Sequence, residues 1–235
     1  TCALPIYWRL VNLMQNFSDK LNIIANDTNI FLKKIFLKKN NISYLDKSMK
    51  YSLFSGGKRF RSAIVVNTGK IFGINYKKLI AIAAAVECIH SYSLIHDDLP
   101  AMDDDDLRRG KLATHKKFNE FTAILAGNSL LTLAFEILSS KDLKLSSKIK
   151  NELISALTVF SGSSGLAKGQ YFDLALENKK ISKKKKLLIF KEIKLANCLL
   201  FVVWAQALLK DKIFIKEKRS EERRVGKECR SGWST

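Results

Sequence analysis

The sequence predicts a single all-α domain, and three observations support this prediction. Apolar residues recur at helical spacing along nearly the whole chain of 235 residues. No stretch alternates apolar and polar side chains over the length that a strand requires. The breaks between the helical stretches fall at glycine, asparagine, proline and serine, which end helices or begin turns. About 200 residues of such helices can bury one sizeable core.

The helices follow one another with short breaks. In chain order, the pattern predicts helices at 16–38, 42–55, 60–72, 76–99, 105–109 as a short piece, 118–139, 145–161, 165–176 and 184–210. The breaks between them lie at Asn40–Asn41, Gly56–Gly57, Gly73, Pro100, Gly110 and the SGSSG stretch 161–165. Each of these breaks contains a residue that either lacks a backbone donor or tolerates a left-handed conformation.

Both ends of the chain resemble translated sequencing adapters rather than protein. The final segment 219–235 reads RSEERRVGKECRSGWST, and Thr1–Ile6 reads TCALPI. Met14 is the first methionine and is interpreted as the start. We therefore predict a leader and adapter at 1–13, one partial domain at 14–218, and an adapter-like tail at 219–235.

The formal net charge of +19 raises the possibility of a nucleic-acid-binding protein. The lysines are spread along the chain, however, and neither a known DNA-binding motif nor a set of RNA-stacking aromatic residues accompanies them. The run Lys183–Lys186 is typical of a solvated helix start. We therefore expect no nucleic-acid partner. A basic nucleic-acid-binding protein is the alternative, and a strongly salt-dependent affinity for DNA or RNA would support it.

The cysteine and hydropathy patterns predict a cytoplasmic protein without a membrane span. Cys88 and Cys198 lie within apolar helical stretches, which is typical of reduced, packed thiols. The most apolar segment, Cys198–Leu209, is shorter than the roughly 18 residues of a membrane span. The residues after Met14 are polar and mixed in charge, unlike a signal peptide.

The most informative stretch is acidic. Six of the ten residues from Asp97 to Asp106 are aspartates, and Arg108 and Arg109 follow them. So many carboxylates repel one another unless a cation neutralises them. Carboxylate oxygens suit Mg2+, and arginine binds phosphate through two parallel hydrogen bonds. The pattern therefore predicts a magnesium and diphosphate site, with a solvated acidic loop as the alternative.

Pro100 lies inside this cluster and leaves two geometries open. In a straight helix a step of seven residues returns to the same face, which would pair Asp97 with Asp104. A proline removes a backbone donor and kinks the helix, and a bulge at Pro100 would instead bring Asp103 round to Asp97. Spacing alone does not decide between these two pairs.

The segment SGGKRFR, residues 55–61, is a second candidate binding site. Its two glycines let the backbone approach a ligand closely, and Lys58 and Arg61 lie on one face if a helix starts here. A helix N-terminus with two cations attracts an anion. The alternative is an ordinary basic helix start. His90 and His96 are weak candidates individually, since a histidine among apolar residues is usually packed.

These segments together resemble one enzyme family, the trans-type polyprenyl diphosphate synthases. The resemblance is carried by GGKRFR, ECIHSYSLIHDDLPAMDDDDLRRG, HKKFNEFTAILAGNSLLTLAFEILS and GQYFDL. It runs from about Met14 to about Leu209 and is strongest to the bacterial members that make farnesyl diphosphate.

The resemblance implies an isoprenoid-synthase helical bundle with a central cavity, incomplete here at its C-terminus. It implies Mg2+ as cofactor and a first aspartate-rich motif, DDxxxxD, in which Asp97 and Asp103 hold the metal and Asp98 belongs to the catalytic set. It places the allylic diphosphate at Arg108 and Lys194. It places the isopentenyl diphosphate at Lys58, Arg61, His90 and Arg109.

The implied reaction joins dimethylallyl or geranyl diphosphate to isopentenyl diphosphate by Mg2+-assisted ionisation. Tyr92, five positions before Asp97, corresponds to the floor of the family's cavity, and a bulky aromatic residue there resembles the enzymes that make the fifteen-carbon product. A geranyl or geranylgeranyl diphosphate synthase is the alternative. Family members are usually homodimers, so a homodimer is expected.

Two departures from the family pattern bear on activity. Lys194 matches the lysine of a family Lys-Thr pair, but Leu195 stands in place of the threonine. In the family, the second aspartate-rich motif, DDxxD, lies downstream of the position of Leu209. Here the adapter-like tail begins at 219, before such a motif is reached. We therefore expect this chain to be inactive by itself. A non-catalytic subunit of a heteromeric prenyl synthase is an alternative, whereas a terpene cyclase would not need SGGKRFR.

Overall fold

A computed structural model of the chain describes residues 4–37 and 42–177, with side chains described over 17–37 and 42–175. Eight α-helices and one short hairpin lie in these ranges. In chain order they are α1 Leu4–Leu37, α2 Tyr44–Leu53, α3 Phe60–Ile71, α4 Tyr76–Asp97, β1 Leu107–Arg108, β2 Lys111–Leu112, α5 Thr114–Lys117, α6 Glu120–Ser139, a 3-10 turn Lys141–Leu143, α7 Ser147–Ser161 and α8 Leu166–Glu177. The all-α prediction is confirmed.

Helix α4 is the centre of the domain. Every residue from Leu79 to Ile89 is buried, because this stretch of α4 is apolar except for Glu87 and the helix packs against α1, α2, α3 and α6. Cys88 is fully buried, as expected for a packed thiol. The C-terminal end of this central helix carries the aspartate cluster, so the core determines where the acidic site lies.

Two helices, α4 and α6, are long and apolar enough to cross a membrane by length and composition alone. Of the apolar stretch in each, 72% is buried within the protein for α4 and 50% for α6. This degree of burial is typical of core helices in a globular domain. The segment Cys198–Leu209 and the predicted helix 184–210 lie outside the described residues.

Helices α3 and α4 approach each other closely at Gly69. A Cβ atom built on Gly69 would lie 2.8 Å from Cδ1 of Leu79 and still nearer to its other methyl group. Gly69→Ala is therefore expected to destabilise the domain by about 1.5 kcal/mol through overpacking. Urea unfolding of the single variants and of Gly69→Ala with Leu79→Ala tests this. A Gly69→Ala cost that stays the same without the Leu79 methyl groups would contradict the packing argument.

The predicted helix at 105–109 is wrong, because these residues enter a hairpin. Strand β1 pairs antiparallel with β2, with Leu107 opposite Leu112. The two turn residues, Arg109 and Gly110, both have positive φ, at 55° and 75°, as a tight two-residue hairpin turn requires. The strands are too short for an alternating pattern, so only Gly110 signalled the turn. The Tyr51 hydroxyl donates to the Leu112 carbonyl at 2.8 Å and ties the hairpin to α2.

Several helix boundaries also differ from the prediction, among them the starts of α6 and α1. The segment predicted as one helix from 118 to 139 begins instead at Glu120, because the Asn119 side chain accepts a hydrogen bond from the Thr122 N–H at 2.8 Å and caps α6. Helix α1 starts at Leu4 and so includes most of the predicted leader. Helical conformation does not distinguish a native segment from a translated adapter, and the assignment of 1–13 stays a prediction.

Candidate active site

The acidic turn closes through the backbone around Pro100. Helix α4 ends at Asp97, two residues before the predicted end. The Asp103 N–H then donates to the Asp97 carbonyl at 2.9 Å, and the Asp104 N–H donates to the Leu99 carbonyl at 3.1 Å. Asp104 itself is left-handed, with φ at 50°. The structure therefore joins Asp97 to Asp103 through the bulged geometry and continues neither α4 nor its seven-residue repeat to Asp104.

The donor set at this turn suits Mg2+ shared with a phosphate ligand. Asp97 is half-buried at the helix end, whereas Asp103 is exposed on the turn. Among the described residues no group of three or more acidic, histidine or cysteine side chains converges as a complete metal cage. Mg2+ usually binds through one or two carboxylates and completes its shell with water and substrate phosphates. Asp97 and Asp103 fit that requirement.

Asp98 points away from the solvent and holds Arg108. The Arg108 Nε donates to Asp98 Oδ1 at 2.7 Å, and its Nη2 contacts the same oxygen and also Asp105 Oδ2 at 2.8 Å. Only 3% of the Asp98 side chain is exposed, against 30% of Arg108. Burial raises the pKa of Asp98, although the hydrogen bond from Arg108 opposes that shift. Asp98 therefore orients an arginine rather than presenting a carboxylate to the turn.

Arg109 faces the other candidate segment. Its Nη1 donates to the Gly56 carbonyl, and its guanidinium lies against the backbone at Gly57, where a Cβ atom would be 2.7 Å from Cζ. Burial and the nearby Arg59 lower the pKa of Arg109. The left-handed hairpin turn thus directs two neighbouring arginines to different places, Arg108 to the acidic turn and Arg109 to SGGKRFR.

Arg61 and His90 lie side by side where α3 packs against α4. Arg61 Nη1 lies 3.1 Å from His90 Nε2, and both side chains are half-buried between α3 and α4. Burial, together with the positive charges of Arg61 and Arg109, lowers the pKa of His90 to about 3. The imidazole is therefore neutral near pH 7, and Nε2 accepts the hydrogen bond from Arg61. Lys58 is exposed at the open side of the same loop.

The lowered pKa of His90 predicts acid sensitivity. The unfolded chain takes up a proton on His90 below about pH 6.5, whereas the folded chain resists it down to about pH 3. Stability should therefore fall with pH in this window by up to about 1.4 kcal/mol per pH unit. Urea unfolding at pH 6.5 and 5.5 should show a loss about 1 kcal/mol smaller for His90→Gln than for the unsubstituted chain. Equal losses would contradict the buried neutral histidine.

Comparison with known proteins decides the family. Residues 42–218 match the model of the polyprenyl synthetase family, which is well over half of the 235 residues. This chain belongs to the polyprenyl synthetase family.

Several farnesyl diphosphate synthases are similar to this polyprenyl synthetase chain. The Escherichia coli enzyme is 53% identical over 136 residues, which are 57% of this chain and 46% of the relative. The enzyme of Buchnera aphidicola subsp. Acyrthosiphon pisum is 46% identical over 155 residues, 64% of this chain and 55% of the relative. The chain therefore spans about half the length of these curated relatives.

Solved structures of similar fold support the helical bundle. A geranyltransferase from Legionella pneumophila matches with a TM-score of 0.77 and 34% identity, covering 83% of this chain and 68% of that one. An FPP/GFPP synthase from Zymomonas mobilis matches with a TM-score of 0.74 and 34% identity, covering 83% and 72%. The isoprenyl-synthase bundle expected from the sequence is confirmed for this polyprenyl synthetase.

Tyr92 lies one turn before the acidic residues. Its ring meets the His96 ring edge to face at 5.0 Å, and burial together with Asp97 raises the pKa of its hydroxyl. His96 in turn lies 3.2 Å from the Ile124 carbonyl, close against Gly127 of α6. Tyr92 thus packs against His96 of the same helix, and His96 contacts α6. Lys194 lies outside the described residues.

Two residues of the cluster escaped the sequence reading. Arg59, inside SGGKRFR, is only 5% exposed, and Glu87 of α4 is 2% exposed. Their side chains form an ion pair at 3.2 Å. Lys58 and Arg61 share a helical face and Arg59 does not, so helical spacing predicts no role for Arg59. The signal for Glu87 was available, as a lone carboxylate in the apolar run from Leu79 to Ile89 needs a buried partner.

Proposed function

We propose that the protein to which this chain belongs condenses dimethylallyl or geranyl diphosphate with isopentenyl diphosphate and forms farnesyl diphosphate. The observation that carries the proposal is that Arg108 and Arg109, although adjacent in the hairpin, contact two different segments of the chain. Arg108 contacts the acidic turn through Asp98, and Arg109 contacts the SGGKRFR loop through the Gly56 carbonyl. One hairpin therefore borders two anion sites, as a reaction between two diphosphates requires.

Each proposed site uses different chemistry. At the acidic turn, Asp97 and Asp103 would hold Mg2+, which supplies positive charge to the departing diphosphate. Arg108, oriented by Asp98, would bind the same allylic diphosphate. In the other site, Lys58, Arg61, His90 and Arg109 would bind the diphosphate of isopentenyl diphosphate. Lys58, Arg61 and Arg109 supply the positive charge in this site, and the diphosphate of isopentenyl diphosphate stays attached to its carbon during the reaction.

The bond changes follow from this arrangement. The allylic C–O bond breaks, and its electron pair leaves with the diphosphate. The isopentenyl double bond attacks the resulting cationic carbon and forms the new C–C bond. A proton then passes from the isopentenyl unit to the released diphosphate, which restores the double bond, and the product is five carbons longer. Water must be kept from this cation, and an apolar cavity within the helical bundle would do so.

The product length, assembly and location are further parts of the proposal. Tyr92, packed against His96 below Asp97, supports a cavity that ends early and therefore a fifteen-carbon product.

Helix α6 exposes Phe121, Ile124 and Leu125, an apolar surface that suits a second copy in a homodimer. We propose a cytoplasmic enzyme, in line with the bacterial synthases that it resembles. Geranyl or geranylgeranyl diphosphate is the alternative product.

The first test is the source transcript read beyond codon 218, with the adapter-like ends at 1–13 and 219–235 removed. A DDxxD motif in the following helices is expected. The extended protein should convert dimethylallyl and labelled isopentenyl diphosphate to a fifteen-carbon product in the presence of Mg2+, as measured by chromatography after dephosphorylation. A transcript without DDxxD would overturn the catalytic proposal and favour a non-catalytic subunit. Release of diphosphate from the allylic substrate alone would favour a cyclase.

A further inference from the structure

The loop that carries Lys58 and Arg61 is built on an unusual residue. Arg59 has φ 48° and ψ 40°, a left-handed conformation that side-chain-bearing residues rarely adopt, and it immediately precedes α3. Such a conformation persists only where the surroundings hold it. Arg59 is the N-cap residue of α3, so its conformation determines how Lys58 before it is placed relative to Arg61 after it.

The guanidinium of Arg59 ties this turn to three other helices. Its Nε donates to Asn29 Oδ1 of α1 at 3.1 Å, and its Nη1 donates to Glu87 Oε2 of α4 at 3.2 Å. Its Nη2 donates to the carbonyl of Leu53 at the end of α2. Only 3% of the Arg59 side chain is exposed, and it therefore does not bind a solvent-borne ligand directly.

Glu87 completes the turn from the other side. Its Oε1 accepts hydrogen bonds from the Ser62 N–H at 3.1 Å and from the Ser62 hydroxyl at 3.0 Å. A carboxylate from α4 therefore caps the first turn of α3, where negative charge is favourable. Both oxygens of Glu87 are engaged, one by Arg59 and one by Ser62.

The buried contact between Glu87 and Ser62 lies beside the contact between His90 and Arg61, two residues of the proposed isopentenyl diphosphate site. His90 follows Glu87 by three residues and thus lies on the same face of α4. On α3 the partners are likewise neighbours, because Glu87 meets Ser62 while His90 meets Arg61 at 3.1 Å. A shift of α3 at Ser62 would therefore displace Arg61 from His90.

We propose that Arg59 and Glu87 are positioning residues that hold Lys58 and Arg61 in place for isopentenyl diphosphate. This proposal rests on the proposed function of the SGGKRFR loop. It assigns to the pair a specific effect on the affinity for one substrate, in addition to the support that any buried ion pair gives to folding.

Conservative variants test the pair. Arg59→Lys keeps the charge but cannot contact Asn29, Leu53 and Glu87 together, and Glu87→Gln keeps the shape but loses the charge. Tyr76→Phe is the matched control. Tyr76 lies on α4 like Glu87, about 16 Å from it along the helix, and the substitution removes the 2.6 Å hydrogen bond from the Tyr76 hydroxyl to Asp27 of α1. Thermal unfolding identifies conditions under which all three variants are folded.

Titration calorimetry with isopentenyl diphosphate gives the first readout. Each variant of the pair should raise the Kd about tenfold or more, whereas Tyr76→Phe should leave it within about twofold. In the extended protein, the KM for isopentenyl diphosphate should rise while the KM for dimethylallyl diphosphate stays unchanged. Equal changes for the two substrates, or an equal loss in the control, would overturn the positioning role.

Hydrogen exchange gives a readout that needs no substrate. The Ser62 amide should exchange at least about tenfold faster in Glu87→Gln than in the unsubstituted chain, and the control should not change it. Unchanged exchange and unchanged affinity in both variants would overturn the proposal while leaving the proposed function intact. If the unsubstituted chain fails to bind isopentenyl diphosphate, the proposed function of the loop fails, and the positioning role fails with it.

Discussion

Asp97→Ala and Asp103→Ala are each expected to lower the rate of Mg2+-dependent condensation by about a thousandfold in the extended protein. Metal ions stabilise developing negative charge by several kcal/mol, and each 1.4 kcal/mol is a factor of about ten in rate. The two aspartates are the pair that the turn around Pro100 brings together through the 2.9 Å backbone hydrogen bond. Product formation at saturating substrates and varied Mg2+ concentration measures the effect.

Asp104→Ala is the matched control for this experiment. Asp104 follows Asp103 directly and is exposed, but its own backbone is left-handed, and its N–H donates to the Leu99 carbonyl rather than to Asp97. Its replacement should reduce the rate by less than about threefold, because the charge that it loses is screened by solvent. If Asp104→Ala is instead the damaging change, the pairing of Asp97 with Asp103 as metal ligands is wrong. Circular dichroism should show that all three variants remain helical.

Gly57→Ala is expected to weaken isopentenyl diphosphate binding by about thirtyfold, the equivalent of losing one charged hydrogen bond. A Cβ atom at this position would lie 2.6 Å from Arg109 Nη1. The guanidinium is the far end of a flexible side chain and would move aside, so the substitution displaces Arg109 rather than unfolding the loop. Calorimetric titration with isopentenyl diphosphate measures the loss.

Gly56→Ala separates backbone strain from displacement of Arg109. Gly56 and Gly57 have nearly the same positive φ, 113° and 110°, so alanine strains the backbone similarly at both. At Gly56, however, the added Cβ would meet nothing within 4 Å among the described residues. The two variants should therefore lose similar thermal stability, and only Gly57→Ala should lose affinity. Comparable loss of affinity in both would show that loop strain, not Arg109, is responsible.

Much of the helical order was accessible from sequence, because burial imposes a helical period that is visible in the residues. The run from Leu79 to Ile89 is apolar except for Glu87, and the structure places it at the centre of the domain. The hairpin could not be predicted in this way, because strands of two residues each are too short to show an alternation of apolar and polar residues. Only the glycine of its turn was visible in the sequence.

The composition of the proposed sites was also present in the sequence. Aspartates followed by two arginines indicate a metal and diphosphate site because of the charges involved, wherever the chain places them. The fold decided the roles within each set. Asp98 is adjacent to Asp97, but the end of α4 turns it inward to Arg108, while the turn at Pro100 returns Asp103 to Asp97. Spacing had left Asp103 and Asp104 as equal candidates.

The sequence by itself determined the helical class, the charged segments and the family, because these depend on local periodicity and residue type. Only the tertiary structure decided that Arg108 contacts Asp98 whereas Arg109 contacts the SGGKRFR loop, and that Arg59 of this loop pairs with Glu87. These facts depend on contacts between residues that are separated in the chain: 10 positions separate Asp98 from Arg108, 28 separate Arg59 from Glu87, and 53 separate Gly56 from Arg109. Packing of α4 against its neighbours creates those contacts, and no local pattern encodes them.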